Sequence, residues 1–472
     1  MTNRPNVVCI SIDSARADFC SLFNDRRSPL PFVSSLASES TIFEKAITPS
    51  VFTLPVHTSI FTGLFPIEHG MTWRGKKLGE HPTFAEILST EGYNTAAFHN
   101  NGWFDTGDIL RGFADINPNK NKSESKADNK SNRNLLKKIV SASDTIMEGA
   151  RYTYNFQNNL RKWLNNAEPS AVDSGGSKIV NTISQYSETV NDPFCWFIHL
   201  NDAHFSGGYT PPDPHHKSYT NRSTLGLAWN QSIWHHRIYG SRIKKRKVAT
   251  GDIQPPAREA ETFKNLYRGC LEYCDTLIKR VVDILKMKNK WDNTILVIFG
   301  DHGDSFGEQN IFGHQCSVDD SLIRVPLFIR DPTKKLTFDR VSNPVSLVDL
   351  YATILSLTGA DIPETDSRDL TKRSREYAYV YYDDMGTQTL PNSVLKRLED
   401  DLPPRQMYAV WKNPDTKIVW YPEENKYSGT SAENDHLQSV LHNHIEKLSK
   451  VDTSAEKIDN QALTRLENMG YL

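Results

Sequence analysis

Residues 6–13 read Asn-Val-Val-Cys-Ile-Ser-Ile-Asp (NVVCISID), a short β-branched run that stops on a carboxylate. Such a run is a buried strand, and Asp13 then stands at the carboxyl end of a parallel strand, where open α/β sheets hold their ligands. Two further runs have the same form. Phe194–Leu200 (FCWFIHL) leads into Asn-Asp-Ala-His, and Thr294–Gly300 (TILVIFG) leads into Asp301 and His302. Between them, Ala260–Lys288 carries Phe263, Leu266, Leu271, Leu277, Ile278, Val281, Val282 and Leu285 at helical spacing, which predicts one long helix. Leu30–Glu39 and Thr83–Thr90 read as shorter helices, the second leading through a turn into the strand-like NTAAF. Strands alternating with helices define an α/β class.

The chain has 472 residues, enough for a large α/β unit with a smaller partner. Lys plus Arg number 55 against 57 Asp plus Glu, a net charge of −2, so no overall positive field favours a nucleic-acid backbone. No apolar run reaches the roughly 18 residues a membrane span needs. The start, MTNRPNVVCISID, lacks the apolar stretch and cleavage site of a secretory signal. Six scattered cysteines include only one close pair, Cys270 and Cys274, at helical rather than metal-binding spacing. A reducing, cytoplasmic setting is expected.

Asn117–Asn134 has almost nothing to bury and reads as a mobile excursion within a variable stretch, 117–177. The basic run Arg242–Lys247 is either a solvated face or an attraction site for an acidic substrate. From about Ser374, three β-rich segments separated by turns (EYAYVYYDD, QMYAVWKNP, TKIVWYPEE) precede a polar helix. The expected division is therefore 1–373 and 374–472.

Asp13, Thr53 in PSVFTLPVHTSIFTG, and Asp301 with His302 all follow strand-like or loop segments. Oxygen donors with one imidazole suit a divalent ion of the Mg, Mn, Ca or Zn group. A threonine hydroxyl is a poor nucleophile near neutral pH, and metal coordination is one of the few ways to populate its alkoxide.

Five motifs in order, NVVCISIDSARAD, TLPVHTSIFTGLFPIEHG, HLNDAHFSGGYTPP, DNTILVIFGDHGDSFGE with IRVPLFIR, and SLVDLYATILSLTGADIP with the closing LENMGYL, resemble the sulfatase branch of the alkaline phosphatase superfamily. The resemblance implies a large mixed sheet between helix layers, a smaller C-terminal antiparallel sheet, one bound divalent ion and attack on a sulfate or phosphate ester. It implies Asp13, Thr53, Asp301 and His302 as metal ligands and Thr53 as nucleophile. The usual residue there is a Cys or Ser oxidised to formylglycine, so Thr53 implies an unmodified hydroxyl, as in threonine-using phosphodiesterases and phosphoglycerol transferases. Further departures are Ser14, where a second Asp often stands, and His57, where the motif has Arg. By the same resemblance His204 protonates the leaving oxygen, His314 stands over the substrate, and His57 donates to the transferred group. His99 with Asn100 is a weaker candidate, and Arg16 with Asp18 either orient the first loop or form a surface pair. The expected activity is metal-dependent hydrolysis of a small-molecule or saccharide sulfate or phosphate ester. A phosphodiesterase or phosphotransferase, a silent binding member, and a mutase drawing on Asp202 and His204 are the alternatives.

Overall fold

The computed structural model describes residues 4–20, 28–72, 76–118, 155–205, 208–239, 247–248, 251–383, 406–448 and 454–455. Its centre is an eight-stranded mixed sheet of β1 (Asn6–Ile12), β2 (Thr41–Phe43), β3 (Asn94–Phe98), β4 (Ala114–Ile116), β5 (Phe194–Leu200), β6 (Thr294–Gly300), β7 (Leu327–Arg330) and β8 (Arg340–Val341). The strand order is β8-β2-β7-β6-β1-β5-β3-β4. Strands β6, β1, β5, β3 and β4 run parallel, whereas β7 is antiparallel to both neighbours.

The middle strands are apolar along nearly their whole length because helices cover both faces. Helix α1 (Thr53–Thr62) lies on the face that takes Val7, Cys9, Phe197, Val297 and Phe299. Helices α2 (Gly176–Tyr186) and α3 (Ala257–Met287) cover the face of Val8, Ile10, Trp196, Ile198, Leu296 and Ile298. Helix α4 (Leu350–Thr358) returns to the first face. Since side chains alternate along a strand, Ser11 and Asp13 continue the α1 face.

One expected helix differs in detail. Leu30–Glu39 is an α-helix over Pro31–Ser35 followed by a 3-10 turn over Leu36–Glu39. Asp275 of α3 accepts the Phe32 and Val33 amides at 2.8 and 2.9 Å, supplying from another element the cap that Leu30 lacks. Helix α1 begins at Thr53, two residues before Pro55, and Pro is tolerated in a first turn whose amides have no intrahelical partner. Residues 155–164 and Pro169–Val172, within the stretch 117–177, are helical. Trp163 is buried there and donates to Gln231 Oε1 at 2.8 Å.

The C-terminal sheet is antiparallel, in the order β9 (Ala378–Asp383), β10 (Gln406–Asn413), β11 (Thr416–Tyr421) and β12 (Lys426–Ser428). The three expected β-rich segments supply the first three strands. Helix α5 (Asp435–Lys447) packs Leu437 and Leu441 on Val410 and Ile418. The opposite face, with Val380, Tyr382, Ala409 and Trp411, joins the hydrophobic cluster that also contains Phe52 and α1. Residues 119–134, Arg242 and its neighbours to 246, and the closing LENMGYL lie outside the described residues. Among the described residues no helix is long and apolar enough to cross a membrane.

Candidate active site

Register brings the polar residues together. Ile12 pairs with both Leu200 and Gly300, so β1, β5 and β6 end level, and Phe98 pairs with Ile198, so β3 ends two residues short of them. The next residues, Asp13, Asn201 and Asp301, with the turn His99–Asn101, share one carboxyl edge. The close fit of the loops needs two glycines: a Cβ on Gly300 would lie 2.3 Å from Ala15 O, and one on Gly303 2.0 Å from Ser321 O.

Asp13, Asp301 and His302 are fully buried and offer donor atoms within 4.8 Å of one another. His302 Nε2 stands 3.7 Å from Asp13 Oδ1 and 3.8 Å from Asp301 Oδ2, beyond hydrogen-bond reach. The Ser14 and His302 amides donate to Asp301 Oδ1 at 2.9 and 2.8 Å. Ser14 reaches Asp301 because it adopts φ 61, a left-handed conformation unusual for a non-glycine residue. His302 Nδ1 donates to Gly303 O at 3.0 Å, which leaves the Nε2 lone pair facing the two carboxylates.

Asp301 Oδ2, His302 Nε2 and Thr53 Oγ1 are among the buried atoms left without a hydrogen-bond partner. Buried polar groups are otherwise satisfied as a rule, because leaving one bare costs about 1–3 kcal/mol. Two carboxylates and an imidazole lone pair fit a hard or borderline divalent cation. Burial alone would raise the Asp13 carboxyl, but His204 and the hydrogen bond from His199 hold it well below the usual range. Burial pushes Asp301 up, against the opposing pull of His302.

Thr53, 2% exposed, is the first residue of α1. His57, one turn later, ties that turn to the sheet. Its Nδ1 donates to Thr53 O at 2.8 Å and its Nε2 accepts from Ser11 Oγ at 3.0 Å. Both nitrogens are therefore engaged inside the protein, and the ring packs among Phe104, Phe197 and His199. Burial, then the nearby His199, holds His57 well below its ordinary pKa. This differs from the expected donor to the transferred group: a neutral ring with one N–H and one lone pair has nothing left to give.

His204 and His314 face each other, ring centroids 5.4 Å apart, and His314 lies 4.7 Å from His302 and 5.8 Å from Phe52. Burial brings His204 down to about 4. His99 is bound to Asp115 Oδ1 at 2.8 Å and Asn101 O at 3.2 Å, which makes it a brace for the Asn101 turn. Arg16 and Asp18 form a two-pronged pair at 2.8 Å, and Arg16, 4% exposed, also reaches Asp304 O and Glu308. The pair thus braces the first loop against the 304–308 segment. Asp202 accepts the Ser174 amide at 2.8 Å, beside the start of α2.

Three residues were not singled out from sequence. His199 Nε2 donates to Asp13 Oδ2 at 3.1 Å. Asn101 Nδ2 reaches Asp13 Oδ2 at 3.4 Å and Asn201 Oδ1 at 3.2 Å. Asp304 accepts from His314 Nδ1 at 2.9 Å. The available signal for His199 is a lone polar residue inside the apolar run FCWFIHL, at the same parity as Phe197 and so on the α1 face.

Residues 5–360 match the sulfatase family, and the chain belongs to it. It is an ester hydrolase of the sulfatase type. Arylsulfatase K of Canis lupus familiaris is 22% identical over 387 residues, 76% of this chain and 64% of that protein, so the chain spans under two thirds of that relative. The phosphonate monoester hydrolase of Agrobacterium radiobacter has the same fold, with a TM-score of 0.63 at 17% identity over 94% of this chain and 95% of that one. BT4656, solved with D-glucosamine-2-N,6-O-disulfate, also has a TM-score of 0.63, at 16% identity over 94% and 97% of the two chains.

Proposed function

We propose that this chain is a divalent-metal-dependent hydrolase in which the unmodified Thr53 hydroxyl is the nucleophile and a phosphoryl or phosphodiester group is the preferred cargo. The observation that carries the reading is the buried, unpartnered Thr53 Oγ1 at the first position of α1, together with the unpartnered Asp301 Oδ2 and His302 Nε2. Asp13, Thr53, Asp301 and His302 would hold the ion, calcium, magnesium, manganese or zinc, which supplies charge neutralisation and a lowered hydroxyl pKa. The N-terminal amides of α1 favour an anion at the same end. His57 positions Thr53 through its carbonyl, and His199 and Asn101 orient Asp13.

In the first half-reaction Thr53 Oγ, its proton lost to solvent, attacks the central atom of the ester, and the bond to the leaving oxygen breaks. His204 would hydrogen-bond that oxygen through its ring N–H as negative charge develops there. The preference for phosphorus follows from the nucleophile. A formylglycine hydrate can expel sulfate by collapsing to the aldehyde, whereas an O-sulfated threonine must wait for outside attack. A phosphorylated threonine can be attacked by water or by an acceptor alcohol. None of the six cysteines is in a disulfide, which supports a reducing, cytoplasmic setting.

Matched aryl sulfate, phosphate monoester, phosphodiester and phosphonate monoester substrates test the reading. A phosphorus ester is expected to lead in kcat/KM. A sulfate preference of about 10²-fold, roughly 2.7 kcal/mol in transition-state stabilisation, would overturn it. His204→Ala is expected to slow alkyl esters by about 10²-fold or more and p-nitrophenyl esters by less than about tenfold, because a good leaving group needs little protonation. Equal penalties on the two series would assign His204 to binding instead.

A further inference from the structure

The helix over residues 155–164 and the helix Thr224–Tyr239 are tied to each other by their inner sides. Asn159 Nδ2 donates to Ser232 Oγ at 3.0 Å, and Trp163 Nε1 donates to Gln231 Oε1 at 2.8 Å. Leu227, Ala228 and Trp234 are buried in the cluster that also takes Val8 and Ile10. The outer sides are apolar as well. Leu164 is 69% exposed, Leu225 60% and Trp229 52%, three of the six large hydrophobic side chains exposed among the described residues, and all three fall on this one helix pair.

Residues four apart share a helix face, so Phe156, Leu160 and Leu164 form one row and Leu225 with Trp229 another. The Phe156 and Trp229 rings meet at 5.9 Å and join the two rows into a single stripe. We infer that this stripe docks the protein on an anionic lipid surface, with Leu164, Leu225 and Trp229 entering the interface while Arg161 and Arg222 meet the headgroups.

The charge beside the stripe has one sign. Neither helix contains an Asp or Glu. Arg161 is exposed one helical turn from Leu164, and Arg222 stands three residues before Leu225. In the sequence, residues 214–251 carry eight Lys or Arg and no acidic residue, although the net charge of the whole chain is −2. The nearest acids in sequence are Glu168 and Asp213, the latter paired to Lys217 at 2.6 Å. Exposed Leu and Trp flanked by cations suit a lipid interface, where apolar groups enter the acyl boundary and Lys or Arg is attracted to anionic headgroups. Long cationic side chains can reach past their apolar neighbours to the phosphates.

Other occupants fit less well. A second copy docked about a twofold axis would set the same cations against themselves. A hydrated polyanion would satisfy the cations but leave Leu164 and Leu225 in water. The stripe is also tied to the active site. Gln231 donates to Tyr209 O at 2.6 Å, and the Tyr209 hydroxyl donates to Asp304 Oδ2 at 2.7 Å. Docking on this face therefore sets the orientation of the active-site edge relative to the lipid surface.

The test is co-sedimentation of the full chain with vesicles of phosphatidylcholine alone or of equimolar phosphatidylcholine and phosphatidylglycerol. Binding to the anionic vesicles should exceed binding to the neutral ones by about tenfold or more and fall with added salt. Leu225→Glu should weaken that binding by about tenfold or more, because a carboxylate then enters the interface. Met287→Glu makes the same charge change at a side chain 72% exposed at the end of α3, and should weaken it by less than about threefold. An unchanged Tm in each variant shows that the fold is kept. Absence of vesicle binding, equal binding to the two compositions, or equal losses in the two variants would overturn the docking surface. Tighter binding to soluble dextran sulfate than to vesicles would assign the face to a polyanion instead. Self-association that Leu225→Glu abolishes, without vesicle binding, would assign it to a second copy. Sedimentation is read without turnover, so its result stands whatever the nucleophile is.

Discussion

Thr53→Ala should abolish turnover, with a loss of at least about 10³-fold in kcat, and yet leave the metal-free protein as stable as the wild type or slightly more so. Removing a nucleophile leaves only the rate that binding and electrostatics can supply. Stability moves the other way because the hydroxyl is buried with no hydrogen-bond partner. Removing such a group relieves a cost of about 1–3 kcal/mol, offset in part by the lost methyl. Thr53→Ser restores the hydroxyl and should keep activity within about tenfold. The measurements are kcat for the three proteins and their Tm in chelator. Activity in Thr53→Ala above about a tenth of wild type, a barrier change under roughly 1.4 kcal/mol, would remove Thr53 from the chemistry.

Asp301→Asn should empty the metal site, lowering bound divalent ion from about one per chain to near none and activity by about 10³-fold or more. Asparagine can keep the two amide hydrogen bonds that Oδ1 receives from Ser14 and His302. The change is therefore confined to the unpartnered Oδ2 and its charge. This gives the variant a distinctive stability pattern. In chelator the wild type buries Asp13 and Asp301 beside each other with no metal ion between them, so Asp301→Asn should melt higher than the wild type there. With metal added the order should reverse, because only the wild type gains binding energy. Elemental analysis and melting curves with and without divalent ion check both halves. An Asp301→Asn protein that binds metal and turns over like its parent would displace Asp301 from the ligand set.

Much of the architecture is legible in the chain because its central strands are buried on both faces. Runs such as NVVCISI and TILVIFG have few alternatives to a parallel strand between helices, and each ends on the carboxylate found at the sheet edge. The long period of α3 was equally plain, since sixteen of its residues are buried along one stripe. Boundaries that depend on other elements were less legible. The short helix over Pro31–Ser35 takes its cap from Asp275, more than two hundred residues away, and no local pattern announces that.

The sequence by itself determined which chemistry is available: two aspartates and a histidine after strands, a threonine ahead of a helix, and motifs in sulfatase order. Only the tertiary structure decided how the histidines divide the work. His57 points down between α1 and the sheet because Ser11 and its own Thr53 carbonyl use both nitrogens. His199, silent within its apolar strand, meets Asp13 because β1 and β5 pair in a register that is a property of two strands, not of either one. His314 acquires a fixed tautomer only when Asp304, Tyr209 and Tyr382 converge on it from the 304–316 hairpin, the 209 loop and the C-terminal sheet. A residue's type sets what it can donate or accept, and that much is local. Which partner saturates it depends on contacts between distant segments, and these exist only once the core has formed.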